Sequence, residues 1–175
     1  MVQPIKVVTI EDAHPDLVRR ELHEVTRMAH YAMGQVWATQ LLPEHFQPSA
    51  TQAFGYQPRT AKHNKHKRAL AAIGQAEDGG TSPLVVSGRL RRALLRARHM
   101  IRAYPTRVTI DLVGPKYWKY RRWPGSPDMV REVLAMSPRH EQIVGQAGDR
   151  GFEAALRMVR SSRRTRKVTT IGKAA

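Results

Sequence analysis

The chain has 175 residues, with 30 Lys and Arg, 14 Asp and Glu and no Cys, which gives a formal net charge of +16 at pH 7. This length predicts one domain with a core of its own. The absence of Cys excludes a disulfide framework, a thiol nucleophile and any thiolate zinc site. No apolar run approaches the roughly 20 residues of a membrane span. We therefore expect a soluble protein of a reducing compartment or a virion, with no secretory signal and no membrane partner.

The positive charge is distributed unevenly along the chain. Residues 1–44 carry four basic and six acidic side chains, so the rest of the chain carries +18. Residues 45–76 and 79–110 contain basic but no acidic side chains. The segment that follows Glu153 likewise contains basic but no acidic side chains. Such blocks indicate a polyanionic partner or an acidic protein surface. A basic face that is merely solvated remains the alternative for any single block.

The first long predicted element is an amphipathic helix that begins near Pro15. Proline suits the first helical turn, and the neighbouring Asp16 places negative charge near the positive end of the helix dipole. Apolar residues recur at spacings of three and four, at Val18, Leu22, Val25, Ala29, Ala32, Met33, Val36 and Trp37. The pattern predicts a helix that reaches about Leu42 and stops at Pro43. The preceding IKVVTI (5–10) predicts a short strand.

The middle of the chain consists of several short segments that differ in composition. Residues 43–60 are rich in Pro, Gly, Gln and aromatic residues without a usable period, which predicts a loop or an extended arm, of which the arm is favoured. A short basic helix is expected over 60–73, and AEDGGTSP (76–83) predicts a turn. The next segment, LVVSGRLRRALL, predicts a short strand, a Ser-Gly turn and a stretch with one apolar side. That side consists of Leu90, Ala93 and Leu94.

The second half predicts a hairpin followed by helices. Apolar and polar residues alternate over 108–113, which predicts a strand, and residues 97–103 are its expected antiparallel neighbour. Two helices are expected, over about 127–136 and from Pro138 to about Arg160. The predicted fold class is α+β: one domain over 1–160, in which the long N-terminal helix and the C-terminal helices pack on a small antiparallel sheet. The basic tail, 161–175, is expected to be disordered in the isolated subunit.

Catalytic chemistry has weak candidates. His63 and His66 are spaced to share a metal ion on a helix, but flanking lysines repel a cation and a third ligand is missing nearby. Asp111 is an isolated acid in a predicted strand, where an outward position paired with Arg is the commoner role. No nucleophile elbow, phosphate-binding loop or dinucleotide fingerprint occurs. We expect a non-enzymatic protein with no cofactor, no metal and no small-molecule substrate; a metal-dependent nuclease is the weakest alternative.

An aromatic and basic run, KYWKYRRWPG (116–125), predicts an exposed loop over 114–126. Its aromatic residues alternate with Lys and Arg, which suits either base stacking or an anchor in a protein interface. The protein interface is the favoured interpretation. The aromatic residues are Tyr117, Trp118, Tyr120 and Trp123.

The stretch FGYQPRTAKHNKHKRA…TSPLVVSGRLRRALLRA (54–97) resembles a pattern in neck and tail-completion proteins of tailed bacteriophages. The pattern is an aromatic-Arg-Thr segment, a basic helix, and Pro-Leu-Val-x-Ser/Thr-Gly-x-Leu. The matching residues are Tyr56, Arg59, Thr60, Lys67, Pro83, Leu84, Val85, Ser87, Gly88 and Leu90. The helix that ends in LLPEHF and the closing helix are also similar to such proteins.

The resemblance implies a non-enzymatic ring subunit of α+β fold that joins the head or portal connector to the tail. Its partners would be further copies of itself and the neighbouring connector and tail proteins. Its location would be the virion neck, and the host cytoplasm during assembly. A basic nucleic-acid-binding protein remains the alternative, and the basic surface leaves DNA open as a partner. The candidate interaction residues are Tyr56, Arg59, Tyr117, Trp118, Tyr120, Trp123, Arg163, Arg164, Arg166 and Lys167.

Overall fold

The structure is a computed structural model that describes residues 15–76, 82, 84, 88–96, 99–119 and 128–169. Side chains are not described at 15–17, 117, 119 and 162–169. The strand predicted over 5–10 lies outside the described residues. So do most of the turn predicted over 76–83 and most of the short strand predicted after it.

Helix α1 spans Pro15–Val36, and the chain continues without interruption into a π-helical turn at Trp37–Leu41 and a 3-10 turn at Leu42–Phe46. The predicted long helix is therefore confirmed. Pro43 stands near the start of the last turn, where its missing N–H leaves no hydrogen bond unmade. The change of helical pitch buries both Leu41 and Leu42 completely.

Residues 43–60 do not form the extended arm that we expected. Residues 43–54 contain the 3-10 turn and a short helix α2, Ala50–Phe54, which ends at Gly55 in the left-handed conformation with φ 60°, and 56–60 form neither helix nor strand. Phe46, Ala50 and Tyr56 are buried in the main core. The prediction is wrong because Pro and Gly end short helices here instead of keeping the chain extended, and the aromatic side chains lose exposed apolar surface by folding back.

Two predicted helical segments around the basic region are confirmed. Helix α3 spans Ala61–Ala72, and the hydroxyl of Thr60 caps it by accepting from the His63 N–H at 3.2 Å. Helix α4 spans Arg89–Arg96 and follows Gly88, whose φ is 68°. Its apolar side faces the core: Leu90 and Leu94 are buried.

The predicted hairpin is also confirmed. Strand β1, Met100–Ala103, pairs antiparallel with β2, Val108–Asp111, so that Met100 lies opposite Asp111. The hairpin packs on α1 at Gly34. A Cβ there would lie 2.8 Å from the Ile101 side chain and 2.9 Å from that of Val108, so only glycine permits this approach.

The two helices predicted over about 127–136 and from Pro138 are both present, but their lengths differ from the predicted ones. Helix α5 is short, Met129–Val133, and Asp128 caps it by accepting from the Arg131 N–H at 3.0 Å. Helix α6 spans Pro138–Thr169 and begins at the predicted residue, where the Ser137 hydroxyl accepts from the His140 N–H.

Helix α6 does not end near Arg160. Its backbone stays helical to Thr169, so the prediction of a disordered tail is wrong for 161–169. Arg and Lys have high helix propensity, and extending a formed helix requires no new nucleation. Residues 170–175 lie outside the described part of the chain.

Helices α1 and α6 run antiparallel and pack closely. A Cβ on Gly148 would lie 3.0 Å from Met33, and one on Gly151 would lie 2.8 Å from the Cβ of Ala32. Gly148 and Gly151 therefore form the contact of α6 with α1. The small hairpin and these helices confirm the predicted α+β class. None of the helices in the described ranges is both long and apolar enough to span a membrane.

Candidate functional site

Tyr56, predicted as an interaction residue, lies inside the protein. It is 4% exposed, and its hydroxyl lies 2.5 Å from Nδ1 of His45, which is fully buried. The His45 ring stacks on Phe54 with ring centroids 4.1 Å apart. One ring stack and one hydrogen bond therefore join the turn after α1 to the last residue of α2 and to the chain that follows it.

A second buried histidine extends this cluster to the start of α6. His140 is 1% exposed and its ring meets that of His45 edge-on, with centroids 5.7 Å apart. Nε2 of His140 lies 3.1 Å from the carboxylate of Glu44, which also accepts from Arg139 at 3.2 Å. We call His45, Phe54, Tyr56 and His140 the aromatic cluster.

Burial keeps two titratable groups of the aromatic cluster, His45 and Tyr56, uncharged at pH 7. Burial, and then the nearby charge of His140, lowers the pKa of His45 to about 4, against smaller opposing effects of Glu132 and Glu44. Burial, followed by the Glu132 carboxylate, raises the pKa of Tyr56, and Arg59 offsets part of that effect. At pH 7 the short contact thus joins a neutral imidazole to a neutral phenol.

Arg59, the second predicted interaction residue, forms a two-point ion pair within the chain. Its Nη1 donates to one carboxylate oxygen of Glu132 at 2.8 Å, and its Nη2 donates to the other at 2.5 Å. The side chains are only 12% and 8% exposed. The expectation that Tyr56 and Arg59 present a contact surface is therefore wrong, because both side chains are used in the interior.

Other residues of the matched stretch 54–97 have interior roles too. Lys67 is 4% exposed and its ammonium donates to the backbone carbonyl of Ser82. This bond ties α3 to the segment that leads into α4. Leu84 and Leu90 are buried in the main core.

The aromatic run over 114–126 is only partly described. Residues Lys116–Lys119 form a 3-10 turn. Trp118 is 3% exposed, and a Cβ on Gly114 would lie 2.8 Å from its indole nitrogen. The prediction that Trp118 is exposed is wrong, because its ring packs under this turn in the main core. The side chain of Tyr117, and all of Tyr120 and Trp123, lie outside the described residues.

Exposed basic side chains lie on α3 and α4. On α3 they are Lys62, Lys65 and Arg68, and on α4 they are Arg89, Arg92 and Arg96. Neither helix contains an acidic residue. The predicted tail residues Arg163, Arg164, Arg166 and Lys167 lie on the last turns of the α6 backbone.

His63 and Asp111 belong to the two weak catalytic candidates of the sequence, and their neighbours are mainly basic side chains. Burial, and then the charges of Arg59, Lys67 and His66, lowers the pKa of His63. No group of three possible metal ligands occurs among the described residues. Asp111 lies on the exposed face of β2 and pairs with Arg102 across the hairpin at 3.0 Å, as the strand pattern predicts.

The buried residues Glu132, His45 and His140 were not predicted from the sequence as site residues. Glu132 and His140 stand 73 and 96 positions along the chain from Arg59 and Glu44, and no local pattern indicates such pairs. The closest sequence indication of a buried histidine is that His45 stands between Pro43 and Phe46, where the predicted apolar helix ends.

Comparisons with known proteins give no relative. The sequence matches no protein-family model, and none of the curated proteins or solved structures compared with it is similar.

Proposed function

We propose that this protein is a non-enzymatic structural subunit of a tailed-phage virion, of the neck or tail-completion type. In this role, copies of the chain form a ring that joins the head or portal connector to the tail. The proposal places the protein in the virion neck, and in the host cytoplasm before assembly.

One observation carries the proposal. Three residues that match the phage pattern make interior contacts: the Tyr56 hydroxyl contacts His45, Arg59 pairs with Glu132, and Lys67 donates to the carbonyl of Ser82. Interior contacts at matched positions are expected if the pattern reflects a shared fold. The resemblance and the contacts both support a structural role, and neither involves a catalytic residue.

The exposed surface suits a subunit with several neighbours. Basic side chains cover the outer faces of α3 and α4, and large apolar side chains are exposed elsewhere. Examples are Met100 at 57%, Met158 at 55% and Leu134 at 51%. A ring subunit needs different contact faces for its two neighbours and for the rings above and below.

Mass spectrometry of gradient-purified virions from the phage that encodes the chain tests the proposal. We expect its peptides at a copy number similar to that of other neck proteins, and well below that of the capsid protein. Their absence from virions that contain known connector proteins would contradict the proposal.

Nucleic-acid binding is the second candidate, favoured by the acid-free helices α3 and α4. Phosphate contacts release counterions, so log affinity should fall with log salt by about 0.9 for each duplex phosphate that is neutralised. Duplex DNA titrations between low and physiological salt, on wild type and on the variant Lys62→Glu/Lys65→Glu, measure this slope. A shallower slope in the variant, for a protein absent from virions, would favour this candidate.

A further inference from the structure

The rings of two buried histidines hold α2 in place. Phe54, the last residue of α2, stacks on His45 with centroids 4.1 Å apart and meets the His140 ring with centroids 4.8 Å apart. The hydroxyl of Tyr56, which follows α2, contacts Nδ1 of His45. Among the described elements, α2 packs chiefly on the 3-10 turn, Leu42–Phe46, which carries His45. The position of α2 therefore depends on ring contacts with this turn and with the start of α6.

A proton added to either ring would lack a hydrogen-bond partner. His45 and His140 are 0% and 1% exposed, and their centroids are 5.7 Å apart. A protonated imidazole has two N–H donors. Nδ1 of His45 contacts Tyr56 and Nε2 of His140 contacts Glu44, but the other nitrogen of each ring has no partner within the described part of the chain. Charging a ring therefore leaves one buried donor without an acceptor, whichever tautomer is present.

The surrounding charges can compensate one added proton but not two. Glu44 supplies the carboxylate that contacts a ring nitrogen, and it also accepts from Arg139. The carboxylate of Glu132 is paired with Arg59. His140 lies in the first turn of α6, where the helix dipole disfavours a cation, and helix α4, which packs on the turn, adds only basic charges. Among the described residues, the charged and titratable groups around the rings are Glu44 of the turn, Tyr56 and Arg59 after α2, Glu132 of α5 and Arg139 of α6.

The contact between α1 and α6 does not share this sensitivity to protons. Gly148 packs against Met33, and Gly151 packs against Ala32. None of these four residues has a titratable side chain. Protonation of the two histidines therefore acts on the cluster at the start of α6 and leaves this contact uncharged.

We propose that His45 and His140 form an acid-sensitive latch, which releases α2 from the turn and from the start of α6 when the two rings take up protons. Helices α1 and α6 stay packed in the open form. Release exposes Phe54 and the apolar side of α2, including Ala50, which is fully buried in the closed form. The latch goes beyond the proposed function and does not rest on it, because the whole cluster lies within one chain.

The direction of the pH effect follows from the burial of His45. Burial lowers the pKa of His45 to about 4, whereas an exposed imidazole has a pKa of about 6.5. The stack on Phe54 offsets part of the cost of a charged ring. Between these two values the open form binds a proton that the closed form does not, so falling pH favours opening. From pH 7.5 to 4.5 the ratio of open to closed protein should rise by about 10- to 100-fold.

Thiol accessibility measures the opening, because the chain contains no Cys. Ala50→Cys in α2 is compared with the matched control Ala155→Cys in α6, since both alanines are 0% exposed. The probe is dithiodipyridine, and each rate is divided by that of the same variant unfolded in urea at the same pH. We expect the Ala50→Cys rate to rise more than about tenfold from pH 7.5 to 4.5. At pH 4.5 it should exceed the Ala155→Cys rate by a similar factor, because only global unfolding exposes position 155.

Histidine variants in the Ala50→Cys chain identify the groups responsible. His45→Gln and His140→Gln, each checked by circular dichroism at pH 7.5, should lose most of the gain in rate. An unchanged gain in both folded variants, or equal rates of the two thiols at pH 4.5, would overturn the proposal. If neither variant folds, the pH profile of Ala50→Cys alone decides the question. A rise between pH 6.5 and 4 supports the latch, and a rise that begins only below pH 4, where carboxyl groups titrate, contradicts it.

Discussion

The guanidinium of Arg59 and the carboxylate of Glu132 form a two-point ion pair between positions 73 residues apart, with N–O distances of 2.8 and 2.5 Å. The pair is nearly buried, so removing one partner leaves the other charge without compensation. We expect Arg59→Ala to lower the free energy of unfolding by about 3 kcal/mol. Urea denaturation at pH 7 measures this loss.

The matched control is Arg102→Ala, which breaks the ion pair with Asp111 at the surface. Both of those side chains are 55% exposed. Exposed pairs contribute about 0–1 kcal/mol, so the control should unfold near the wild-type denaturant midpoint. Equal losses in the two variants would show that the Arg59 pair is no stronger than a surface pair.

The buried His45 makes stability depend on pH. Its pKa of about 4 in the folded chain lies below the usual value of 6.5, so between these values the unfolded chain binds a proton that the folded chain does not. This contribution to the free energy of unfolding is complete above pH 6.5 and is lost as pH falls toward 4. We expect the stability difference between wild type and His45→Gln to shrink by about 2 kcal/mol from pH 7.5 to 4.5. A difference that stays constant with pH would contradict this assignment.

Two glycines of α6, Gly145 and Gly151, differ in what surrounds them. A Cβ on Gly151 would lie 2.8 Å from Ala32, whereas a Cβ on Gly145 would meet nothing within 4 Å. Gly145→Ala should stabilise the protein by up to about 1 kcal/mol through helix propensity. Gly151→Ala should destabilise it by about 1–3 kcal/mol, because the helices must separate. Thermal melting of both variants checks the opposite signs, and a gain in both would mean that α1 and α6 do not pack at this point.

Local patterns predicted the elements well. The apolar spacing of α1, the Ser137-Pro138 start of α6 and the alternation of the hairpin all depend on neighbours within a few residues. The arm over 43–60 was mispredicted because its Pro and Gly residues mark short helix ends as well as extended chain. The interior pairs were missed since ion pairs between distant elements leave no periodic signal. The buried side chain of Trp118 likewise depends on the close approach permitted by Gly114.

The last turns of α6 are expected to serve assembly more than folding. Deleting residues 162–175 removes Arg163, Arg164, Arg166 and Lys167, while Met158, which precedes the cut, is already 55% exposed. The melting temperature should change little, and far-UV circular dichroism should lose helical signal because 162–169 are helical. We expect the truncated protein to be incorporated poorly into virions in a complementation assay. Normal incorporation would show that the basic end has no role in assembly.

The location of the protein in the particle directly tests whether it is a subunit of the virion neck. A small affinity tag placed after residue 175, with a gold-labelled ligand, marks the subunit in electron micrographs of purified virions. We expect label at the junction of head and tail, on tailed particles and on detached neck complexes. Label confined to the head interior, where packaged DNA lies, or particles that carry no label although tagged protein is expressed, would contradict it.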